Sequence, residues 1–154
     1  MLELAGTADL PDLTALEKAC FSHPWTRAQI AAELAAGPPG AVLVLRGVGS
    51  EGRSELCGAC AYRVIADEMH ILDLAIHPAW RRRGLARALL RVALRRAAAA
   101  GAETALLEVR VGNREALRLY ESLGFVRDGV RRQYYREPVE DAALLRRDDL
   151  HRVC

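Results

Sequence analysis

Apolar and polar positions along the chain divide it into alternating helix-like and strand-like runs. Apolar residues recur at helical spacing over residues 10–20. After Pro24-Trp25, the spacing Thr26-x-x-Gln29 predicts a capping box opening a second helix, which Gly37-Pro38-Pro39-Gly40 ends. Residues 41–46 read as a strand, 47–53 as a polar, glycine-rich hairpin turn, and 55–65 as its partner. Asp67-Glu68 turns the chain into a further apolar strand over 69–76. A helix is predicted from near Gly84 to about Ala100, capped by Gly101. Its apolar face holds Leu85, Ala86, Leu89, Leu90, Ala93 and Ala97, and Arg87, Arg91 and Arg95 form a stripe opposite. Residues 104–110 form a strand, and Asn113 N-caps a shorter helix to about Ser122, stopped by Gly124. From Phe125 onward strand and turn alternate, with a bend at Glu137-Pro138. A meander followed by strand–helix–strand–helix–strand predicts a mixed sheet with helices on its faces, in the α/β (α+β) class.

Composition narrows the function classes. The 154 residues fit one domain spanning 1–154, long enough to bury a core. A net charge of +2 is too small to argue for nucleic-acid binding by itself, although Lys18 is the only lysine beside the many arginines. No apolar run reaches the roughly 18–20 residues of a membrane span. The acidic Glu3, Asp9 and Asp12 do not resemble a secretory leader, so the expected location is the cytoplasm. Cys57-Gly58-Ala59-Cys60 has redox or zinc spacing, yet it falls in an extended run where residues three apart face opposite ways. Small buried side chains are the expectation there, and no metal is expected.

The stretch Pro78-Ala79-Trp80-Arg81-Arg82-Arg83-Gly84-Leu85-Ala86-Arg87 follows a strand and opens a helix. Unpaired amides and the positive end of the helix dipole make such a turn an anion cradle. A dinucleotide loop would need G-x-G-x-x-G with an acidic residue about 20 positions on; Gly84 stands alone here, and three strands precede it. No Gly-Lys-Ser/Thr occurs, which removes a Walker loop.

Arg81-x-x-Gly84-x-Ala86 resembles the acetyl-CoA pyrophosphate loop of the GNAT superfamily of N-acetyltransferases. Leu72-Asp73-Leu74-Ala75-Ile76-His77-Pro78 precedes it in the family order. Leu107-Glu108-Val109-Arg110 with Asn113, and then Tyr120-Glu121-Ser122-Leu123-Gly124-Phe125, follow. With His23-Pro24-Trp25-Thr26 and Arg131-Arg132-Gln133-Tyr134-Tyr135, nearly the whole chain resembles the bacterial ribosomal-protein-alanine N-acetyltransferases. Ala86 stands where many relatives have glycine, and His77 replaces a commoner acidic residue. The resemblance implies a GNAT fold, with a central mixed sheet of about seven strands and helices on both faces. It also implies acetyl-CoA as co-substrate and the N-terminal alanine of a small-subunit ribosomal protein as acceptor. A monomer is expected, with no membrane or direct nucleic-acid partner.

Acetyl transfer needs a neutral amine, a stabilised oxyanion and a protonated leaving thiolate. Glu108 shares a strand face with Leu106 and Arg110 and is otherwise surrounded by apolar residues. It reads either as a base whose burial favours proton uptake or as a strand-end partner of Arg110. Tyr120 reads either as the acid for the leaving sulfur or as a core aromatic. For both residues the resemblance implies the catalytic role, with Glu108 acting through water. It also implies that backbone groups of Leu74, Ala75 and Ile76 hold the pantetheine arm, and that amides from Arg82, Arg83, Gly84, Leu85, Ala86 and Arg87 bind the pyrophosphate. Asn113 is expected both to cap its helix and to hold the cofactor arm. Trp25, Tyr134 and Tyr135 either flank the acceptor or serve as ordinary core and surface aromatics. The arginine stripe is a solvated face, or else a site for phosphate or ribosomal RNA. An α-amine loses its proton at about pH 7.7–8.0 against roughly 10.4 for lysine, so a single glutamate suits an N-terminus better by about 3–4 kcal/mol. Lysine, other N-termini, a small amine, or a non-catalytic CoA-binding module stay open as alternatives.

Overall fold

A computed structural model of the chain describes residues 1–152, so Cys154 lies outside the described residues. Its elements are β1 (Leu2–Leu4), α1 (Leu10–Cys20), α2 (Arg27–Ala36), β2 (Ala41–Val48), β3 (Ser54–Ile65) and β4 (Glu68–Ile76), followed by α3 (Leu85–Ala99), β5 (Thr104–Arg110), α4 (Arg114–Ser122), β6 (Val126–Arg136) and β7 (Val139–Arg147). Short 3₁₀ turns occupy Thr7–Asp9, Pro78–Trp80 and Leu150–Arg152. The seven strands form one sheet in the order β1-β2-β3-β4-β5-β7-β6. Only the β4–β5 pair is parallel, as the α3 crossover between them requires.

The local signals act as expected. The Thr26 hydroxyl accepts from the Gln29 N–H at 3.2 Å while Gln29 Oε1 accepts from the Thr26 N–H at 2.8 Å, closing the capping box of α2. Gly84, at φ +74, turns the chain into α3, and Gly101, at φ +99, turns it out one residue past the last helical cap position. The strand β1 has no counterpart in the apolar pattern, because three residues are too few to show a period. Its pairing of Leu2, Glu3 and Leu4 with Leu45, Val44 and Leu43 creates it. Arg46 then ties the N-terminal segment down through Asp9 at 2.5 Å and Asp12 at 3.1 Å.

Each face of the sheet carries two helices. Leu13 and Leu16 of α1 and Ile30 of α2 pack on Val44, Ala59 and Ala75. On the opposite face α3 and α4 cover Leu43, Cys60, Met69, Leu107 and Phe125. Five residues of α3 are buried: Leu89, Leu90, Ala93, Leu94 and Ala97. Leu94 belongs to the core although the expected face omitted it, while Leu85 and Ala86 are only half-buried because the first turn of α3 borders a cleft. Cys57 and Cys60 are buried free thiols. Among the described residues no helix is long and apolar enough to cross a membrane.

Two irregularities shape the centre of the sheet. Opposite Ala61 and Tyr62, β4 has Asp73 and Ile71, so Leu72 is an extra residue bulged out of the ladder. The β4–β5 pairing also runs only from Glu68–Thr104 to His70–Leu106. Beyond that point the two strands diverge.

Leu94 has no exposed surface, so Leu94→Ala should cost about 2–5 kcal/mol in urea unfolding, whereas Arg95→Ala, on the exposed side of α3, should stay within about 0.5 kcal/mol.

Candidate active site

The gap between the diverging strands is lined by Leu72, Asp73 and Leu74 on one side and by Leu107, Glu108, Val109 and Arg110 on the other. Three contiguous hollows meet there. The first runs over the N-terminus of α3, the second through the gap itself, and the third opens against β6 and β7.

The first hollow is lined by Leu74 and Ile76 of β4, by Arg82, Gly84, Leu85, Ala86 and Arg87, and by Asn113 at the start of α4. Eight of the ten expected cofactor residues thus come together. Ala75 points its side chain to the other sheet face against α1 and α2, leaving its backbone to the strand. Arg83 leans over Trp80, 4.9 Å from the ring centre. Arg82 (φ +62) and Gly84 (φ +74) both take the left-handed conformation, which exposes successive amides at the helix start. A Cβ on Gly84 would meet nothing within 4 Å, so the space above the turn is open. The chemistry of these groups, unpaired N–H donors with an arginine beside them, fits a pyrophosphate. Arg81 is structural, because its Nε donates to the Ile76 carbonyl at 3.0 Å and pins the turn to the end of β4. His77 caps the 3₁₀ turn, Nδ1 accepting from the Ala79 N–H at 3.1 Å, which an acidic residue could equally do.

Asn113 caps α4, its Oδ1 accepting from the Ala116 N–H at 3.2 Å, which leaves its amide N–H groups for the hollow. The turn before it is clamped by Glu140 of β7, which binds the Gly112 N–H at 2.6 Å and Arg110 Nη1 at 3.3 Å. A Cβ at 112 would lie 2.6 Å from Glu140 Oε2, so a side chain there would push this carboxylate off the Gly112 N–H. Arg110 also lies over the Tyr135 ring at 4.2 Å. The alternative reading of Glu108 as a partner of Arg110 therefore does not hold. Arg110 is taken by Glu140 and Tyr135, and Glu108 instead faces Arg131 at 3.4 Å and accepts a hydrogen bond from Tyr134. That bond and the Glu108 charge push the Tyr134 hydroxyl pKa up.

Glu108, 30% exposed, projects with Leu106 and Arg110 into the hollows while Ala105, Leu107 and Val109 enter the core. The alternation of β5 thus places one carboxylate at the gap. Tyr120 enters from α4. Its ring is 7% exposed and packs edge-on against Phe125 at 5.6 Å, so it is a core aromatic and a cavity residue together. Burial pushes its pKa up, so the phenol keeps its proton throughout the physiological range. Trp25, Tyr134 and Tyr135 all line the third hollow with Glu108. The two tyrosines stack edge-to-face at 5.1 Å on a bulge where four steps of β6 oppose two of β7. His23 and Glu137, 3.1 Å apart, bridge the two walls at the rim.

Two acidic residues of the site receive no role from the sequence: Glu17, and Asp73 within the 72–78 stretch. Asp73 lines the gap from β4 and meets Glu17 of α1, which is 5% exposed. Burial and then the Glu17 charge push the Asp73 pKa up to about 8 from an ordinary 3.8. A signal for them was present all the same: a carboxylate inside the apolar run 71–76, and another on the apolar side of α1 four residues after Leu13. Cys20 and Phe21 also line the gap, and burial raises the Cys20 pKa.

Residues 10–125 match the family model described as Acetyltransferase (GNAT) family. The chain belongs to the GNAT family. It is an acetyltransferase, and acetyl-CoA is the acyl donor of the family. The chain is 31% identical over 141 residues to the ribosomal protein bS18-alanine N-acetyltransferase of Escherichia coli K12, covering 90% of both chains. It is 43% identical over 81 residues to the N-alpha-acetyltransferase RimI of Mycobacterium tuberculosis, 53% of this chain and 49% of that protein. The crystal structure of the ribosomal-protein-S18-alanine N-acetyltransferase from Escherichia coli superposes with a TM-score of 0.86 at 30% identity, covering 97% of this chain and 93% of that one.

The Asp73 shift has a definite consequence for this GNAT domain's stability. A carboxyl whose folded pKa lies above its unfolded value stabilises fully below about pH 4, and that stability is lost as pH rises through about 8. Asp73→Asn, whose amide can donate to Glu17, should therefore raise the melting temperature by several degrees at about pH 9, with the gap to wild type closing below about pH 5.

Proposed function

We propose that this GNAT enzyme transfers acetyl from acetyl-CoA to the N-terminal alanine of the small-subunit ribosomal protein bS18, working in the cytoplasm as one domain over residues 1–154. The observation that carries the reading is the meeting of Glu108 and Tyr120 at the strand gap, between an anion cradle and an aromatic-walled hollow. Identity of 31% across nine-tenths of both chains to an enzyme of that name supports the acceptor.

Acetyl-CoA supplies an activated acyl group on sulfur. The amides of residues 82–87 hold its pyrophosphate against the positive end of α3. Backbone groups of Leu74, Ala75 and Ile76 and the amide of Asn113 align its arm along β4. Trp25, Tyr134 and Tyr135 flank the acceptor, whose amine reaches Glu108. Glu108 takes the amine proton through water, the nitrogen attacks the acetyl carbonyl, and Tyr120 protonates the departing sulfur. No serine or cysteine nucleophile is required.

Glu108→Gln and Tyr120→Phe should each lower kcat by about 10²–10⁴-fold in a CoA-release assay. Full turnover by both variants would refute the mechanism. Gly84→Val, strained at its positive φ, should raise the KM for acetyl-CoA with the acceptor KM little changed. Among hexapeptides, one with a free N-terminal alanine should be acetylated, whereas an acetyl-alanine peptide should not. Activity confined to an internal-lysine peptide would replace the acceptor assignment.

A further inference from the structure

Glu108 is held by two side chains from one irregular stretch of β6. Arg131 Nη1 lies 3.4 Å from Glu108 Oε1, and the Tyr134 hydroxyl donates to the same carboxylate. The Arg131 guanidinium also lies 5.4 Å from the centre of the Tyr134 ring, which closes a loop of contacts through all three residues. On a regular strand, residues three apart point to opposite faces of the sheet, so Arg131 and Tyr134 could not both meet Glu108. The bulge removes that obstacle. Arg131 pairs with Ala142 and Tyr135 with Glu140, so β6 takes four steps where β7 takes two. Gln133, between them, sits at φ +51, a left-handed conformation that a residue with a side chain keeps only where its surroundings impose it. Asp141 does so, its Oδ1 accepting from the Gln133 N–H at 2.8 Å. The Asp141 carbonyl accepts in turn from the Val111 N–H at 3.1 Å, tying the bulge to the end of the strand that carries Glu108.

The other basic side chains that line these hollows are engaged elsewhere. Arg110, on the Glu108 strand, is held by Glu140 at 3.3 Å and lies over Tyr135. Arg146 of β7 donates to Asp148 at 2.8 Å. His70 of β4 faces Glu68 at 3.8 Å, and His23 faces Glu137 at the rim. Among the described residues, Arg131 is thus the one cation within ion-pair distance of Glu108. Without it, a flexible side chain that is 30% exposed has room to swing away from the gap.

We propose that Arg131 is the positioning residue for the base: from the β6 bulge, and together with Tyr134, it holds the Glu108 carboxylate at the strand gap where the acceptor amine arrives. The proposal rests on Glu108 as the base in the reading above. A carboxylate offers several acceptor sites, so one contact from Arg131 and one from Tyr134 leave others for the water that relays the amine proton. Holding the carboxylate before the amine arrives spares the reaction the cost of collecting it. The planar guanidinium suits this place, because it can lie against the Tyr134 ring and face the carboxylate together.

The test is a double-variant cycle over Arg131 and Glu108, reading kcat and KM by CoA release with an N-terminal-alanine hexapeptide. Arg131→Gln should lower kcat about tenfold, with the KM for acetyl-CoA within about twofold. Its melting temperature should stay within about two degrees of wild type, because the side chain is more than half exposed. Arg131→Lys, which keeps the charge but not the planar fork, should recover about threefold of the lost kcat. In the Glu108→Gln background the same Arg131→Gln change should alter kcat by less than about twofold, since no carboxylate is left to hold. Arg132→Gln, at the exposed neighbouring position, should leave kcat unchanged. A tenfold loss that persists in the Glu108→Gln background, a loss confined to the acceptor KM, or wild-type kcat in Arg131→Gln overturns the proposal. Each of those results leaves Glu108 as the base if Glu108→Gln alone is slow. Full turnover by Glu108→Gln removes the base assignment itself.

Discussion

The parting of β4 from β5 after His70 and Leu106 is the constraint on which the rest of the molecule depends. A continuous parallel ladder there would satisfy every backbone group and leave no interior route through the sheet. Ending it after three pairs frees strand edges deep inside the fold, where unpaired N–H and C=O groups are costly unless something binds them. The Leu72 bulge adds to the opening by twisting β4 locally. All the groups with chemical character converge on this opening from different elements: Asp73 from β4, Glu108 from β5, Tyr120 from α4, and the α3 amides from its end.

Much of this was legible in the sequence because the relevant signals are local. The caps Thr26 and Asn113, the glycines at 84 and 101, and the period-two alternation around Glu108 each act over a few residues, and the structure keeps them. What could not be read depends on partners far away in the chain. The strand Leu2–Leu4 exists because β2 offers it an edge. Leu94, at the edge of the expected stripe, is buried in one core cluster with Leu150 from the far end of the chain. Arg110 looked like a neighbour for Glu108 at strand spacing, yet Glu140, 30 residues on, takes it. The Glu17–Asp73 pair was hidden for the same reason: each is an isolated acid in an apolar run until α1 lies across β4.

The arginines illustrate how unevenly a charge-rich segment is used. Of those near the turn, Arg81 ties strand to loop, Arg83 covers Trp80, and Arg87 borders the hollow, while Arg91 and Arg95 face solvent. Arg131 faces Glu108, and Arg110 braces the aromatic wall. Geometry at the end of each side chain, rather than the density of positive charge, separates these roles.

The last hairpin has a consequence for how another polypeptide can approach. β6 is an edge strand, and a free edge ordinarily invites a visiting chain to add itself as one more strand. Here that edge carries Arg127, Asp128, Arg131 and Arg132, and the Gln133 backbone, at φ +51, turns its N–H inward to Asp141. Such an edge is a poor template for lateral docking. On the proposed function, an acceptor polypeptide would then enter tip first, its leading residues in the hollow lined by Trp25, Tyr134 and Tyr135 and its body outside.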